Sequence, residues 1–188
     1  MKKHILFAAI ALSAFLTGCD KTTLLTEINV DIPYSTEFAI PAISGYTGSV
    51  PLPAGGLKID VPAVGFATNA QTYVSANKTS VDKINKVDLK SMNLRIVLPS
   101  GSNFNFVDSV WIYISAKSQP EQLVAYNYGV AKGQSAIDMY TLTDVNLKNY
   151  FIQDSISFRI SARINATPDS TNKFGIGTIL HMNANPLN

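Results

Sequence analysis

The sequence predicts an all-β fold, an antiparallel β-sandwich of immunoglobulin-like or jelly-roll type with one or two short helices. Three observations carry this expectation. Apolar residues alternate with polar ones at period two in one segment after another, as strands with a single buried face do. From Cys19 onward the chain has 16 Ser, 13 Thr and 15 Asn; Asn and Ser favour turns and Thr favours strands, whereas a helical domain would use more Glu, Lys and Ala. Of 188 residues 46% are hydrophobic and 15% charged, enough to build one core and too few residues for two comfortable domains.

The elements follow in order. Thr26, Ile28, Val30 and Ile32 alternate with Glu27, Asn29 and Asp31; Pro33 is expected to end this strand, and Phe38-Ala39-Ile40-Pro41 reads as a second, short one. Leu57, Ile59 and Val61 alternate with Lys58 and Asp60 inside the Gly/Pro-rich stretch Pro51–Gly65. Met92, Leu94, Ile96 and Leu98 form the next apolar face, ended by the turn Pro99-Ser100-Gly101-Ser102. Val110, Ile112, Ile114 and Ala116 oppose Ser109, Trp111, Tyr113 and Ser115, and Leu123–Val130 follows after the polar loop Lys117–Glu121. The clearest strand is Ile156–Asn165, with Ile156, Phe158, Ile160, Ala162 and Ile164 on one face and Ser157, Arg159, Ser161 and Arg163 on the other. The turn Thr167–Asn172 leads into the last strand, Phe174–Met182. Ser80 is placed to cap a short helix over Val81–Lys86, and Asp144 to start a helical turn reaching Tyr150.

The first nineteen residues have a separate logic. Lys2 and Lys3 precede an apolar run from Ile5 to Leu16, closed by Leu16-Thr17-Gly18-Cys19, which is the layout of a secretory signal. A helix of about twelve residues rises only about 18 Å, short of a bilayer's roughly 30 Å hydrocarbon core. Leu16-Thr17-Gly18-Cys19 resembles the lipobox of bacterial lipoproteins. The resemblance covers this segment alone and implies cleavage before Cys19, whose thiol carries a diacylglycerol and which becomes the first mature residue. The implied division is a cleaved signal peptide over 1–18, a lipidated tether over 19–23 and a single β-sandwich domain over 24–188. It further implies a lipid-anchored protein of the cell envelope. Asp20 resembles the inner-membrane retention residue of enteric bacteria, but the outer membrane is favoured here.

Cleavage removes Lys2 and Lys3 and leaves 13 basic against 13 acidic residues. A neutral domain exerts no net attraction on nucleic acid or anionic lipid, so no nucleic-acid partner is expected and membrane association should rest on the acyl chains. With Cys19 modified, the chain has no thiol for a disulfide or a cysteine-based metal site.

Chemistry is sparse. The one mature histidine, His181, reads as a strand-end residue facing solvent; a lone histidine without cysteines does not make a structural zinc site. There is no Gly-x-Ser-x-Gly elbow and no Walker A loop. Gly175-Ile176-Gly177 has no third glycine for a dinucleotide loop and reads as strand glycines where backbones come close. The acidic residues are scattered over strand ends and turns, unlike the facing carboxylates of a glycosidase. No catalytic residue, metal or cofactor is assigned, and a non-enzymatic role is expected; the alternative is an envelope hydrolase using His181.

One constellation suits a ligand. Trp111 and Tyr113 share a strand face, as do Tyr126 and Tyr128. A hairpin with 111 opposite 128 and 113 opposite 126 gathers all four rings into a platform on which sugar rings could stack. Asp-Ser-x triplets at Ser109, Ser155 and Ser170 resemble the O-glycosylation acceptors of some Gram-negative bacteria, with Ser170, in a turn, the most accessible. The expectation is a structural or binding lipoprotein with an envelope protein or a glycan as partner.

Overall fold

The computed structural model describes residues 27–39, 52–168 and 172–187. Of these, 58% lie in strands and 10% in helix, so the fold is the all-β sandwich that the alternation predicts. The strands are β1 (Ile28–Ala39), β2 (Leu57–Ala67), β3 (Ile84–Leu98), β4 (Val107–Ala116), β5 (Gln119–Tyr128), β6 (Ala136–Asp138), β7 (Tyr140–Thr141), β8 (Ser155–Ile164) and β9 (Lys173–Ala184). Two short helices, α1 (Ala70–Ala76) and α2 (Lys148–Phe151), and a 3-10 turn at Val81–Lys83 complete the described elements.

The strands form two sheets, ordered β1-β9-β3-β6 and β2-β8-β4-β5-β7, with every pairing antiparallel. The pairings are nested: β1 with β9, β2 with β8, β3 with β6 and β4 with β5. A long hairpin rolled on itself gives this order, so the sandwich is of the jelly-roll type, with β7 as an added edge. The faces between the sheets carry the apolar set: Ile32, Leu89, Met92, Leu94, Ile176, Leu180 and Met182 from the first, Val110, Ile112, Ile114, Ile156, Phe158, Ile160 and Ile164 from the second, all buried. Phe158 is fully buried, its ring 5.5 Å from that of Phe66 at an edge-to-face angle of 74°.

Several local expectations are corrected. Pro33 does not end β1, which runs on through the expected second strand as far as Ala39. Because β1 is an edge strand, the missing N–H of Pro33 need not break a ladder. Leu98 lies past a bulge at the end of β3 and is 48% exposed. The hairpin after β4 turns on two residues, Lys117-Ser118, rather than five, with Ser118 left-handed at φ 61°. The helix expected over Val81–Lys86 stops at the 3-10 turn, because Ile84 already belongs to β3, and the Ser80 hydroxyl bonds the Asp82 carboxylate instead of capping. The turn expected from Asp144 forms as α2, started by Asn146, whose side-chain oxygen accepts from the N–H of Lys148 at 3.0 Å and of Val87 at 3.2 Å. The last contact ties α2 to the start of β3.

This packing gives the sandwich two unlike ends. β1 begins where β9 ends and β3 begins, and α2 packs against the starts of both β3 and β8. The turns around Gly55-Gly56, Gly101 and Gly133 lie at the opposite end.

Candidate functional site

On β4, Val110, Ile112 and Ile114 point into the core, which leaves Trp111 and Tyr113 half-buried on the outer face of the second sheet. The expected hairpin register is not the one formed. Trp111 lies opposite Tyr126 and Ser109 opposite Tyr128; past a bulge, Tyr113 lies opposite Leu123. The two-residue turn shortens the hairpin, and the extra residue in β5, where Val124 and Ala125 are both buried, absorbs the rest of the shift.

The outcome is still an aromatic group, with one member exchanged. Asp60, Ser161, Trp111, Tyr126 and Tyr140 form a single row across the five strands. The Trp111 ring is 5.8 Å from Tyr128, Tyr128 is 4.8 Å from Tyr126, and Tyr126 is 5.9 Å from Tyr140. The indole N–H of Trp111 donates to Tyr128 Oη at 3.2 Å, which fixes the T-shaped pair. Tyr128 is 59% and Tyr140 65% exposed. Four contiguous rings, two of them this open, make an apolar strip that carries three phenol hydroxyls. Nothing in the sequence marks Tyr140 as a member of this group, because a two-residue strand leaves no period to read.

Tyr113 leaves the group. Its ring lies under the Arg159 guanidinium, 4.3 Å from ring centroid to Cζ. Arg159 donates to both oxygens of Glu121, at 2.7 and 2.6 Å, and to Asp60 at 2.6 Å. These bonds hold the Glu121 carboxyl below its usual range and push Arg159 still higher. Arg159, Tyr113, Asp60 and Glu121 thus form a closed clamp beside the strip, in which one guanidinium serves two carboxylates and one negative charge is left over.

The next row is Lys58, Arg163, Ser109 and Tyr128. The Lys58 ammonium sits 5.6 Å from the Trp111 ring. Arg163 is exposed and borders a groove of about 470 Å³ lined also by Pro53, Gly55, Gly56, Asp108 and Asn165. Gly56 is required here: at φ +81° a Cβ would come within 2.6 Å of the Ile164 carbonyl and 3.1 Å of the Arg163 side chain.

Of the three Asp-Ser-x serines, Ser109 is buried and donates its hydroxyl to Asp108 at 2.8 Å, so in the folded domain it is closed to a modifying enzyme. Ser155 is exposed at the start of β8. Ser170 and Cys19 lie outside the described residues.

His181 lies within β9, on the outer face of the first sheet, rather than at a strand end. Its Nδ1 is 2.8 Å from Asp31 Oδ1, and the Lys90 ammonium holds the other oxygen of Asp31. These two contacts, Lys90's the larger, keep the Asp31 carboxyl below its ordinary value. Asp88, in register with His181 on its other side, pairs with Lys86 at 3.0 Å. Gly175 and Gly177 lie on the same face, where side chains rather than backbone come close: a Cβ would meet Arg95 at 3.0 Å and Asn93 at 3.1 Å.

No protein-family model matches the chain, and no curated protein does. Among solved structures, a chain described as Desmodium yellow mottle tymovirus aligns over 100% of this chain and 97% of its own, at 9% identity and a TM-score of 0.26. A likeness that low says nothing about the fold or function of this chain.

Proposed function

We propose that this is a non-catalytic, lipid-anchored binding protein of the bacterial cell envelope whose ligand face is the outer side of the second sheet and whose ligand is carbohydrate. The observation that carries the reading is the open strip Trp111–Tyr128–Tyr126–Tyr140. Its apolar ring faces can cover the C–H faces of pyranoses, while its hydroxyls and the neighbouring polar side chains bond sugar hydroxyls. The anchor is Cys19, and the outer membrane is the favoured location. Nine residues lead from Cys19 to the first residue of β1, at most roughly 30 Å of chain, so the anchor joins the domain at its helix-bearing end, opposite the groove beside Arg163.

Trp111 is the sole tryptophan, so its emission reports on the strip directly. Titration of the full-length chain with a panel of oligosaccharides should shift and saturate that emission. Trp111→Ala and Tyr128→Ala should lose binding, followed by calorimetry, with little change in melting temperature. A panel that leaves the emission unchanged, or binding that survives Trp111→Ala, overturns the carbohydrate reading. The anchor has its own test: Cys19→Ala should move the protein out of the membrane fraction, and continued membrane association would count against it.

A further inference from the structure

We infer that the sugar recognised on this face is anionic, a pyranose bearing a carboxylate or sulfate; this rests on the carbohydrate reading above and names its ligand class. The cations on the face divide into two kinds. Arg159 is spent on Glu121 and Asp60, both within 2.7 Å. Lys58 and Arg163 form no ion pair among the described residues, and they are neighbours in register at the end of the row that leads through Ser109 to Tyr128. Both are placed near the aromatic strip: Lys58 lies over the Trp111 ring, and Arg163 is in register with Ser109, the partner of Tyr128, and lines the groove at Gly55-Gly56.

A sugar stacked on Trp111 and Tyr128 therefore has two uncommitted cations at its edge. Lys58 can leave the indole face for a stronger partner, since a partly exposed cation–π contact is weaker than a charge-assisted hydrogen bond to an anion. The planar fork of Arg163 suits the two oxygens of a carboxylate or sulfate. Two features stand against this: Asp108 lines the same groove, and the Arg159 clamp leaves one negative charge over between Asp60 and Glu121. Asp108 accepts the Ser109 hydroxyl and the clamp carboxylates are held by Arg159, so the attraction rests on Lys58 and Arg163 lying at the ligand's edge and not on the net charge of the face.

That arrangement predicts opposite signs for neighbouring substitutions. With the full-length chain at low salt, a uronic-acid oligosaccharide should bind about tenfold tighter than its carboxyl-reduced neutral counterpart, a difference of about 1.4 kcal/mol. Added salt should shrink the gap, because both cations are screened. Lys58→Gln and Arg163→Gln should each cut the preference several-fold while neutral-sugar binding persists, and Asp108→Asn should enlarge it. A sulfated oligosaccharide run in parallel shows which anionic group is preferred. Equal binding of acidic and neutral forms, or no effect of Lys58→Gln and Arg163→Gln on the ratio, overturns the anionic assignment and leaves the carbohydrate reading standing. Binding of neither overturns both.

Discussion

The two outer faces of the sandwich come from the same alternation and have opposite chemistry. On the first sheet, Asn183 bonds Asn29 at 3.0 Å, Asn85 bonds both Asn183 and Asn185 at 3.0 Å, and Asp31 holds His181 and Lys90. These polar groups are partnered with one another across strands, while Arg95, over Gly175 on the same face, forms no ion pair among the described residues. On the second sheet, the corresponding positions hold Trp111, Tyr126, Tyr128 and Tyr140, with apolar area open to solvent and Lys58 and Arg163 unpaired among the described residues. A face whose groups satisfy each other gains little from a ligand. A face with exposed rings and unpaired cations gains on binding, because apolar area and charge both acquire partners.

The largest effect should come from the core both faces share. Phe158→Asp puts an unpaired charge where no water reaches and should unfold the domain, abolishing the cooperative thermal transition. Replacing its outward neighbour, Arg159→Ala, should cost about 1 kcal/mol, since its partners are exposed and screened; the midpoint of a urea melt measures it. Equal effects at the two positions would mean the faces are wrongly assigned.

Acid should affect both faces together. Asp31 on the first sheet and Glu121 on the second have pKa values held below their ordinary 3.8 and 4.5. A depressed carboxyl adds stability above its unfolded-state value and loses it as pH falls through the folded one. The melting temperature should therefore hold from neutrality down to about pH 5 and fall below that, with Glu121→Gln removing part of the fall. A melting temperature flat to pH 2 would mean that neither clamp contributes.

His181→Ala sharpens the contrast in function: it should leave ligand binding on the opposite face unchanged, whereas a hydrolase built on the Asp31–His181 pair would lose its activity. The smallest effect is expected at Ser161. Its hydroxyl is buried in the row between Asp60 and Trp111 without a hydrogen-bond partner among the described residues. Leaving such a group unpaired costs about 1–3 kcal/mol. Ser161→Ala should then be neutral or slightly stabilising in the same urea melt, and a clear loss of stability would mean the hydroxyl has a partner.

Alternation alone determined that the protein is a sandwich and which side of β4 and β8 is inside. Period two follows from local backbone geometry, so Phe158 and Arg159 are told apart without knowledge of their neighbours. The same local rule set Trp111, Tyr113, Tyr126 and Tyr128 outside. Which ring meets which was a tertiary matter. The two-residue turn at Lys117-Ser118 and the bulge at Val124 set the register, and one slip of register exchanges every cross-strand partner. Tyr113 thereby went to Arg159, and Tyr140 entered from a strand too short to show a period. The jelly-roll order, the burial of Ser109 and the meeting of His181 with Asp31, 150 residues apart, also needed the folded chain. Each depends on pairing between distant strands, and a strand's own sequence says which face is buried but not which strand will lie beside it.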